Sequence, residues 1–99
     1  MVKIIWTDQA IEDINNIAEF ISKDSFKYAQ IQVSKFFDLA LLLESTPEIG
    51  RKVPETNDIS IRELITGSYR IIYKIRSNSE ILIITVHHSS RPLENNPNI

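Results

Sequence analysis

The last third of the chain contains three strand-like segments separated by two very short turns, and this spacing constrains the fold more than any other feature. The segments span about Ile59–Ile65, Tyr69–Arg76 and Glu80–His88. They are rich in β-branched and aromatic residues. Residues 66–68 and 77–79, made of Thr, Gly, Ser and Asn, are far too short for a crossover connection. The sequence therefore predicts an antiparallel β-meander.

Two amphipathic helices precede the meander. Apolar residues recur at spacings of three and four over residues 10–21, and the same spacing returns over residues 29–43. Thr7 is placed to cap the first helix, and a short apolar strand opens the chain before it. The order strand, two helices, strands predicts one α+β domain over residues 1–99, with two layers. The helical hairpin packs on one sheet face, and an irregular tail begins at about residue 89.

Composition argues against several classes of function. The chain has no cysteine, so it has no disulfide, thiolate metal site or cysteine nucleophile. It shows neither a signal-peptide pattern nor an apolar run that approaches a bilayer span, so we expect a cytoplasmic protein that does not contact the membrane. The net charge is −2. A dedicated nucleic-acid binder is usually strongly basic, so this balance favours a protein partner.

All five arginines lie in residues 51–99, and alternation along the strands assigns them to a face. In the middle strand, Arg70, Ile72 and Lys74 point away from the helices, onto what we call the open face. The side chains predicted to lie under the helices are Tyr69, Ile71, Tyr73 and Ile75. The same alternation places Arg62 and Leu64 on the open face. A surface that mixes arginines with exposed apolar side chains indicates an interaction site covered by a partner.

The last strand is apolar on both faces. Alternation places Ile81 and Ile83 on one side and Leu82, Ile84 and Val86 on the other. His87 and His88 are adjacent, so they face opposite ways and cannot bind one metal ion together. No metal site and no cofactor are expected.

Several motifs, in this order, resemble the RelE/ParE superfamily of type II toxin–antitoxin toxins, and they come closer to its ParE-like branch. The motifs are Trp6-Thr7-x-x-Ala10-x-x-Asp13-Ile14-x-x-Ile17, Pro47-x-x-Gly50-Arg51-x-x-Pro54-Glu55, Ile61-Arg62-Glu63, Tyr69-Arg70-Ile71-Ile72-Tyr73 and Val86-x-His88-x-x-Arg91. The resemblance extends from about residue 3 to residue 93. It implies a small toxin held inactive by an antitoxin encoded beside it, in a heteromeric complex that contacts operator DNA only through the antitoxin.

The resemblance leaves the target open, because the superfamily contains two activities. RelE-like members cleave mRNA in the ribosomal A site without a metal, whereas ParE-like members poison DNA gyrase and are not known to hydrolyse anything. Ser89 and Asn95 stand where RelE-type nucleases carry an arginine and a tyrosine. We therefore expect gyrase poisoning without enzymatic activity. The alternatives are a ribosome-dependent mRNA endoribonuclease and a degenerate, non-toxic binding module of the same fold.

The candidate functional residues follow from the open face and from the resemblance. The residues expected to contact the target are Arg62, Arg70, His88 and Arg91. The residues expected to contact the antitoxin are Leu64, Ile72 and Lys74. In the nuclease alternative, Arg70 would stabilise charge on the phosphorane, His88 would transfer a proton, and Arg91 or Arg62 would hold the RNA backbone. A strand-end histidine such as His88 also occurs as a purely structural hydrogen-bonding group.

Overall fold

The computed structural model describes residues 2–90, and it confirms the predicted order of elements. The elements are β1 (Lys3–Trp6), α1 (Asp8–Ser22), α2 (Phe26–Leu41), a single 3-10 turn (Leu42–Glu44), β2 (Arg51–Lys52), β3 (Ile61–Thr66), β4 (Tyr69–Ser77) and β5 (Glu80–His88). The predicted tail from residue 91 onward, including Arg91, lies outside the described residues. Within residues 2–90, none of the helices has the length and apolarity needed to cross a membrane.

Side-chain caps determine where the helices begin. The Thr7 hydroxyl oxygen accepts the backbone N–H of Ala10 at 3.0 Å, and the same hydroxyl donates to the Ile83 carbonyl at 2.9 Å. Thr7 therefore caps α1 and also ties its first turn to β5. Ser25 caps α2 in the same way, by accepting the backbone N–H of Tyr28 at 3.1 Å.

The sheet has five strands in the order β1-β5-β4-β3-β2. β1 pairs with β5 in parallel, and the other neighbouring pairs are antiparallel. The helices cover one side, called the helix face. There a buried core joins Ala10, Ile14, Phe36, Ala40 and Leu43 of the helical layer to Leu64, Ile71, Tyr73, Ile81, Ile83 and Val86 of the sheet. The prediction that Tyr69, Ile71, Tyr73 and Ile75 face the helices is confirmed.

The predicted face of β3 is wrong. In the observed register, Arg62 lies opposite Tyr73 and Leu64 lies opposite Ile71, so Arg62 and Leu64 belong to the helix face. Ile61 joins Ile72 on the open face instead. Alternation could not choose between the faces because β3 is buried on both, and a strand of that kind carries apolar residues in both phases.

A β-bulge in β5 overturns the predicted faces of that strand as well. Ile72 pairs with Thr85, whereas its neighbour Tyr73 pairs with Ile83, so β5 contains one extra residue at this point. The extra residue reverses the alternation beyond it. Val86 therefore lies on the helix face with Ile83, contrary to the prediction.

The open face is covered by the chain itself. Residues 53–60, which we call the cover loop, connect β2 to β3 and pack Val53 against Ile61, Ile72 and Ile84. Ile72 is fully buried, so the prediction of an exposed apolar surface at this residue is wrong. The side chain of Lys74 is 42% exposed, so it remains accessible to a partner.

Candidate functional site

Arg70 lies at the centre of the open face and is held by three charge-assisted hydrogen bonds. Its Nη1 and Nη2 donate to the two carboxylate oxygens of Glu55 at 2.8 and 2.9 Å, in a fork-to-fork pair. Its Nε donates to Glu63 Oε1 at 2.5 Å. Only 6% of Arg70 is exposed. The structure therefore confirms the predicted face of Arg70 and shows the guanidinium engaged by the chain's own carboxylates.

Glu63 links Arg70 to a second arginine. Its side chain is 0% exposed, and its second oxygen accepts a hydrogen bond from Arg51 Nε, whose side chain is 61% exposed. Arg51, Glu55, Glu63 and Arg70 form what we call the ion-pair cluster, with two charges of each sign. The hydrogen bond from Arg70 lowers the pKa of Glu55, and the carboxylate of Glu55 raises the pKa of Arg70 above its usual range. The ion-pair cluster therefore has no formal net charge.

Arg62 serves a different part of the molecule. Its Nη1 donates to the Gly50 carbonyl at 2.9 Å, and the neighbouring Tyr73 hydroxyl donates to the Pro47 carbonyl at 2.8 Å. The Tyr73 oxygen also accepts the Gly50 N–H at 3.0 Å. A Cβ on residue 50 would lie 2.6 Å from both the Glu63 carbonyl and the Tyr73 hydroxyl, so glycine is required there. Arg62 and Tyr73 thus hold the loop that precedes β2.

His88 lies at the end of β5 on the helix face. Its ring makes an edge contact with Tyr69 at 5.3 Å between centroids, and Tyr69 makes a similar contact with Phe36 at 5.6 Å. The His88 Nδ1 accepts the backbone N–H of Ser90 at 3.2 Å, and the Ser90 hydroxyl lies 2.6 Å from the same nitrogen. A backbone N–H can only donate, so Nδ1 is an acceptor and the ring proton of the neutral imidazole lies on Nε2.

The structure does not bring the predicted site residues together. Arg70 is on the open face, Arg62 and His88 are on the helix face, and Arg91 lies outside the described residues. The histidine beside Arg70 in the register is His87, which is 8% exposed and which the sequence reasoning missed. No group of three or more metal-binding side chains comes together within residues 2–90.

One feature of the sequence could have shown that His87, and not His88, lies beside Arg70. Thr85 is a polar residue within the apolar run that fills most of β5. Its hydroxyl and the backbone N–H of Val86 both donate to the Asp13 carboxylate of α1. Thr85 lies directly beside the extra residue of the bulge, so the polar residue within the apolar run coincides with the break in alternation.

A groove lined by both helices of the hairpin is an exposed apolar feature that the sequence reasoning missed. Small residues of α1, including Ala18 and Ser22, line one side, and Phe26, Val33 and Phe37 of α2 line the other. The groove encloses about 510 Å³. Phe26 is 69% exposed and Phe37 is 39% exposed. We call this feature the hairpin groove; contiguous apolar surface of this kind is typical of a partner-binding site.

Comparison with known proteins agrees with the motifs and the fold. Residues 4–93 match the family model for the ParE toxin of the type II toxin–antitoxin system parDE. A chain of the chromosomal ParDE toxin–antitoxin system from P. aeruginosa superposes with a TM-score of 0.72 at 18% identity, over 89% of this chain and 96% of that chain. A chain of the RelBE2 toxin–antitoxin complex from Mycobacterium tuberculosis gives a TM-score of 0.63 at 18% identity, over 88% of this chain and 96% of that chain.

At this level of identity, the two solved structures establish a shared fold only. No curated protein sequence matches the chain at a significant level. The family model, by contrast, spans nearly the whole sequence, including the ion-pair cluster and the β5 histidines. The chain therefore belongs to the ParE toxin family of type II toxin–antitoxin systems.

Proposed function

We propose that this toxin arrests growth by poisoning DNA gyrase and that a cognate antitoxin neutralises it. The observation that carries the proposal is the placement of Arg70 and His88 on opposite faces of the sheet. RNA cleavage without a metal requires the charge-stabilising group and the proton-transfer group to reach the same phosphate. Arg70 and His88 cannot do so, and the guanidinium beside His87 is already engaged by Glu55 and Glu63, which favours inhibition of a protein target over the RelE-like alternative.

The end of β5 is the proposed target contact. His88 is partly exposed there, and its Nε2–H is a donor of known position because Ser90 fixes the tautomer. Arg91 follows three residues later in the chain, so we retain His88 and Arg91 as the predicted target contacts. Arg62 and Arg70 are engaged internally, so they contribute to binding only if the loops that they hold are displaced.

The test compares two activities of the purified chain. We expect gyrase-dependent DNA cleavage and loss of supercoiling, with ribosome-bound mRNA left intact. Codon-periodic cuts in mRNA with normal supercoiling would contradict gyrase poisoning and support the RelE-like alternative. Expression of the chain in cells gives the third outcome. Cells that continue to grow, with neither gyrase-dependent DNA cleavage nor cuts in mRNA, would support the degenerate binding module.

We further infer that the antitoxin binds the hairpin groove. Both solved relatives are described as toxin–antitoxin systems or complexes, and the hairpin groove presents aromatic and aliphatic side chains that water would otherwise surround. Of the three antitoxin contacts expected from the sequence, Leu64 and Ile72 are buried by the chain itself. Lys74 alone remains accessible, and its predicted role stays open.

A matched pair of phenylalanines tests the groove. Phe26 and Phe20 are 69% and 67% exposed, but only Phe26 lines the hairpin groove. Phe26→Glu places a carboxylate in an interface that excludes water, and we expect the affinity for the product of the adjacent antitoxin gene to fall about thirtyfold or more, the size of a hot-spot loss. Phe20→Glu should bind normally. Equal affinities for the two variants would place the antitoxin elsewhere.

A further inference from the structure

Glu55 and Glu63 hold the two edges of the Arg70 guanidinium under very different conditions. Glu63 binds the inner edge through Nε, and its side chain is fully buried. Glu55 binds the outer edge through Nη1 and Nη2, and its side chain is 41% exposed. The inner partner belongs to a sheet strand, whereas the outer partner belongs to the cover loop. A partly exposed loop carboxylate therefore lies on the outer edge of Arg70.

The cover loop is anchored near its two ends. The side chain of Val53 is buried against Ile61 and Ile72, and the Ser60 carbonyl accepts the backbone N–H of Ile75 at 2.9 Å. Between these anchors, the pair formed by Glu55 and Arg70 ties the loop down onto the sheet. An incoming carboxylate would restore both hydrogen bonds that Glu55 makes to Arg70. Exchange of Glu55 for another carboxylate is consequently inexpensive compared with removal of Glu63.

The charge balance specifies what could replace Glu55. Without it, the ion-pair cluster keeps one carboxylate, that of Glu63, beside the two positive charges of Arg51 and Arg70. One positive charge remains uncompensated, on a planar fork with two parallel N–H groups. That geometry suits a carboxylate bound through both oxygens, and the observed Glu55 shows this pose at 2.8 and 2.9 Å.

We propose that Arg70 is a carboxylate-binding site which Glu55 occupies as an internal ligand, and that an acidic side chain of the target protein takes its place when the cover loop lifts. The identity of the partner as the target rests on the proposed function; the site itself does not. A protein carboxylate is favoured over nucleic-acid phosphate because the ligand already present is a carboxylate and the chain carries a net charge of −2. The antitoxin is a poorer candidate for this carboxylate. Its proposed binding site, the hairpin groove, lies in the helical layer, whereas Arg70 lies on the open face of the sheet.

The site can be tested without any partner. Glu55→Ala opens the outer edge of Arg70, and sodium acetate is then titrated against sodium chloride at constant ionic strength. Thermal unfolding and the Arg70 Nε–Hε NMR signal report binding. We expect a saturable response, and a one-site ligand at about ten times its dissociation constant shifts the folding equilibrium about elevenfold. Asp58→Ala is the matched control, because Asp58 is a cover-loop carboxylate of 40% side-chain exposure that pairs with Lys74.

The outcomes are distinct. No acetate response in Glu55→Ala overturns the site, and a response to inorganic phosphate but not to acetate overturns the carboxylate assignment. If Glu55→Ala does not fold, Glu55→Gln keeps the shape of the side chain, and acetate should shift its Arg70 signal.

The exchange step requires Glu55→Gln to bind gyrase more tightly than Asp58→Asn; equal affinities overturn it. If the unaltered chain fails to bind gyrase, while Glu55→Ala responds to acetate, the proposed function fails and the site stands.

Discussion

Replacing Arg70 by methionine separates the structural role of this arginine from its possible role in binding. Methionine has a similar length and leaves no large void, but it removes all three hydrogen bonds to Glu55 and Glu63. The Glu63 carboxylate, with 0% side-chain exposure, then keeps only Arg51 as a charged partner. Arg51 is 61% exposed in its side chain, so it compensates the buried charge poorly.

The structure sets the size of the effect. Removing one partner of a buried ion pair costs about 3–5 kcal/mol. Glu55 returns to water and contributes little, and Glu63 retains one arginine, so the lower end of the range applies, about 3 kcal/mol. A domain of this size is stable by about 5–15 kcal/mol, so the loss is a large fraction of the total. It corresponds to a fall in Tm of about 12–24 °C.

Urea unfolding followed by circular dichroism measures this loss, with Arg51→Met as the control. The control leaves Glu63 with its buried partner Arg70, so we expect it to cost about 1 kcal/mol or less. Equal small losses in the two variants would show that Arg70 does not hold the ion-pair cluster together. Any loss of toxicity in an Arg70 variant must therefore be measured below the lowered Tm of that variant.

Acidification provides a second readout of the same variant. The hydrogen bond from Arg70 lowers the pKa of Glu55, whose ordinary value is 4.5. A carboxyl group of lowered pKa stabilises the fold fully above its unfolded pKa, and this contribution is lost as the pH falls through its folded pKa. The parent chain should therefore lose more stability than Arg70→Met on going below about pH 4.5. Identical acid profiles would contradict the pairing of Glu55 with Arg70.

Two further substitutions test the packing around the sheet. Gly50→Ala should destabilise the fold by about 2–4 kcal/mol, since the added Cβ would overlap the Tyr73 hydroxyl at 2.6 Å and force the preceding loop off the sheet; normal urea stability would refute this. Asp13→Ala should cost about 1–3 kcal/mol, because it removes the carboxylate that accepts hydrogen bonds from the Thr85 hydroxyl and the Val86 backbone N–H, and faster amide hydrogen exchange at the β5 bulge would locate the effect.

Local signals were sufficient for most of the fold. The helical stripes, the cap at Thr7 and the short turns depend on neighbours in the chain, and the structure contains all three, with turns of two residues (67–68 and 78–79) where the sequence predicted three. The phase of β4 was also readable from the sequence, because its large core residues alternate with Arg70 and Lys74. Period-two patterning identifies the faces of a strand when only one of them is apolar.

The arrangement of the functional residues could not be predicted from the sequence, because β3 and β5 are apolar on both faces. β3 is apolar on both faces because Val53 of the cover loop covers the open face, and no local pattern announces that long-range contact. In β5, Thr85 beside the bulge donates a hydrogen bond to the Asp13 carboxylate, which is 72 residues away in the chain. One extra residue was enough to exchange His88 for His87 beside Arg70.

Most residues of the family motifs hold loops of the chain in place. The family could therefore be inferred correctly although the predicted exposed surface was wrong. Gly50 and Arg62 hold one loop, while Glu55, Glu63 and Arg70 hold the other. Selection for a stable open face would preserve such residues whatever the toxin binds. The hairpin groove, by contrast, is accessible, and none of the residues that line it belongs to these motifs. Partner specificity is therefore expected to vary with surface residues such as Phe26, while the ion-pair cluster stays the same.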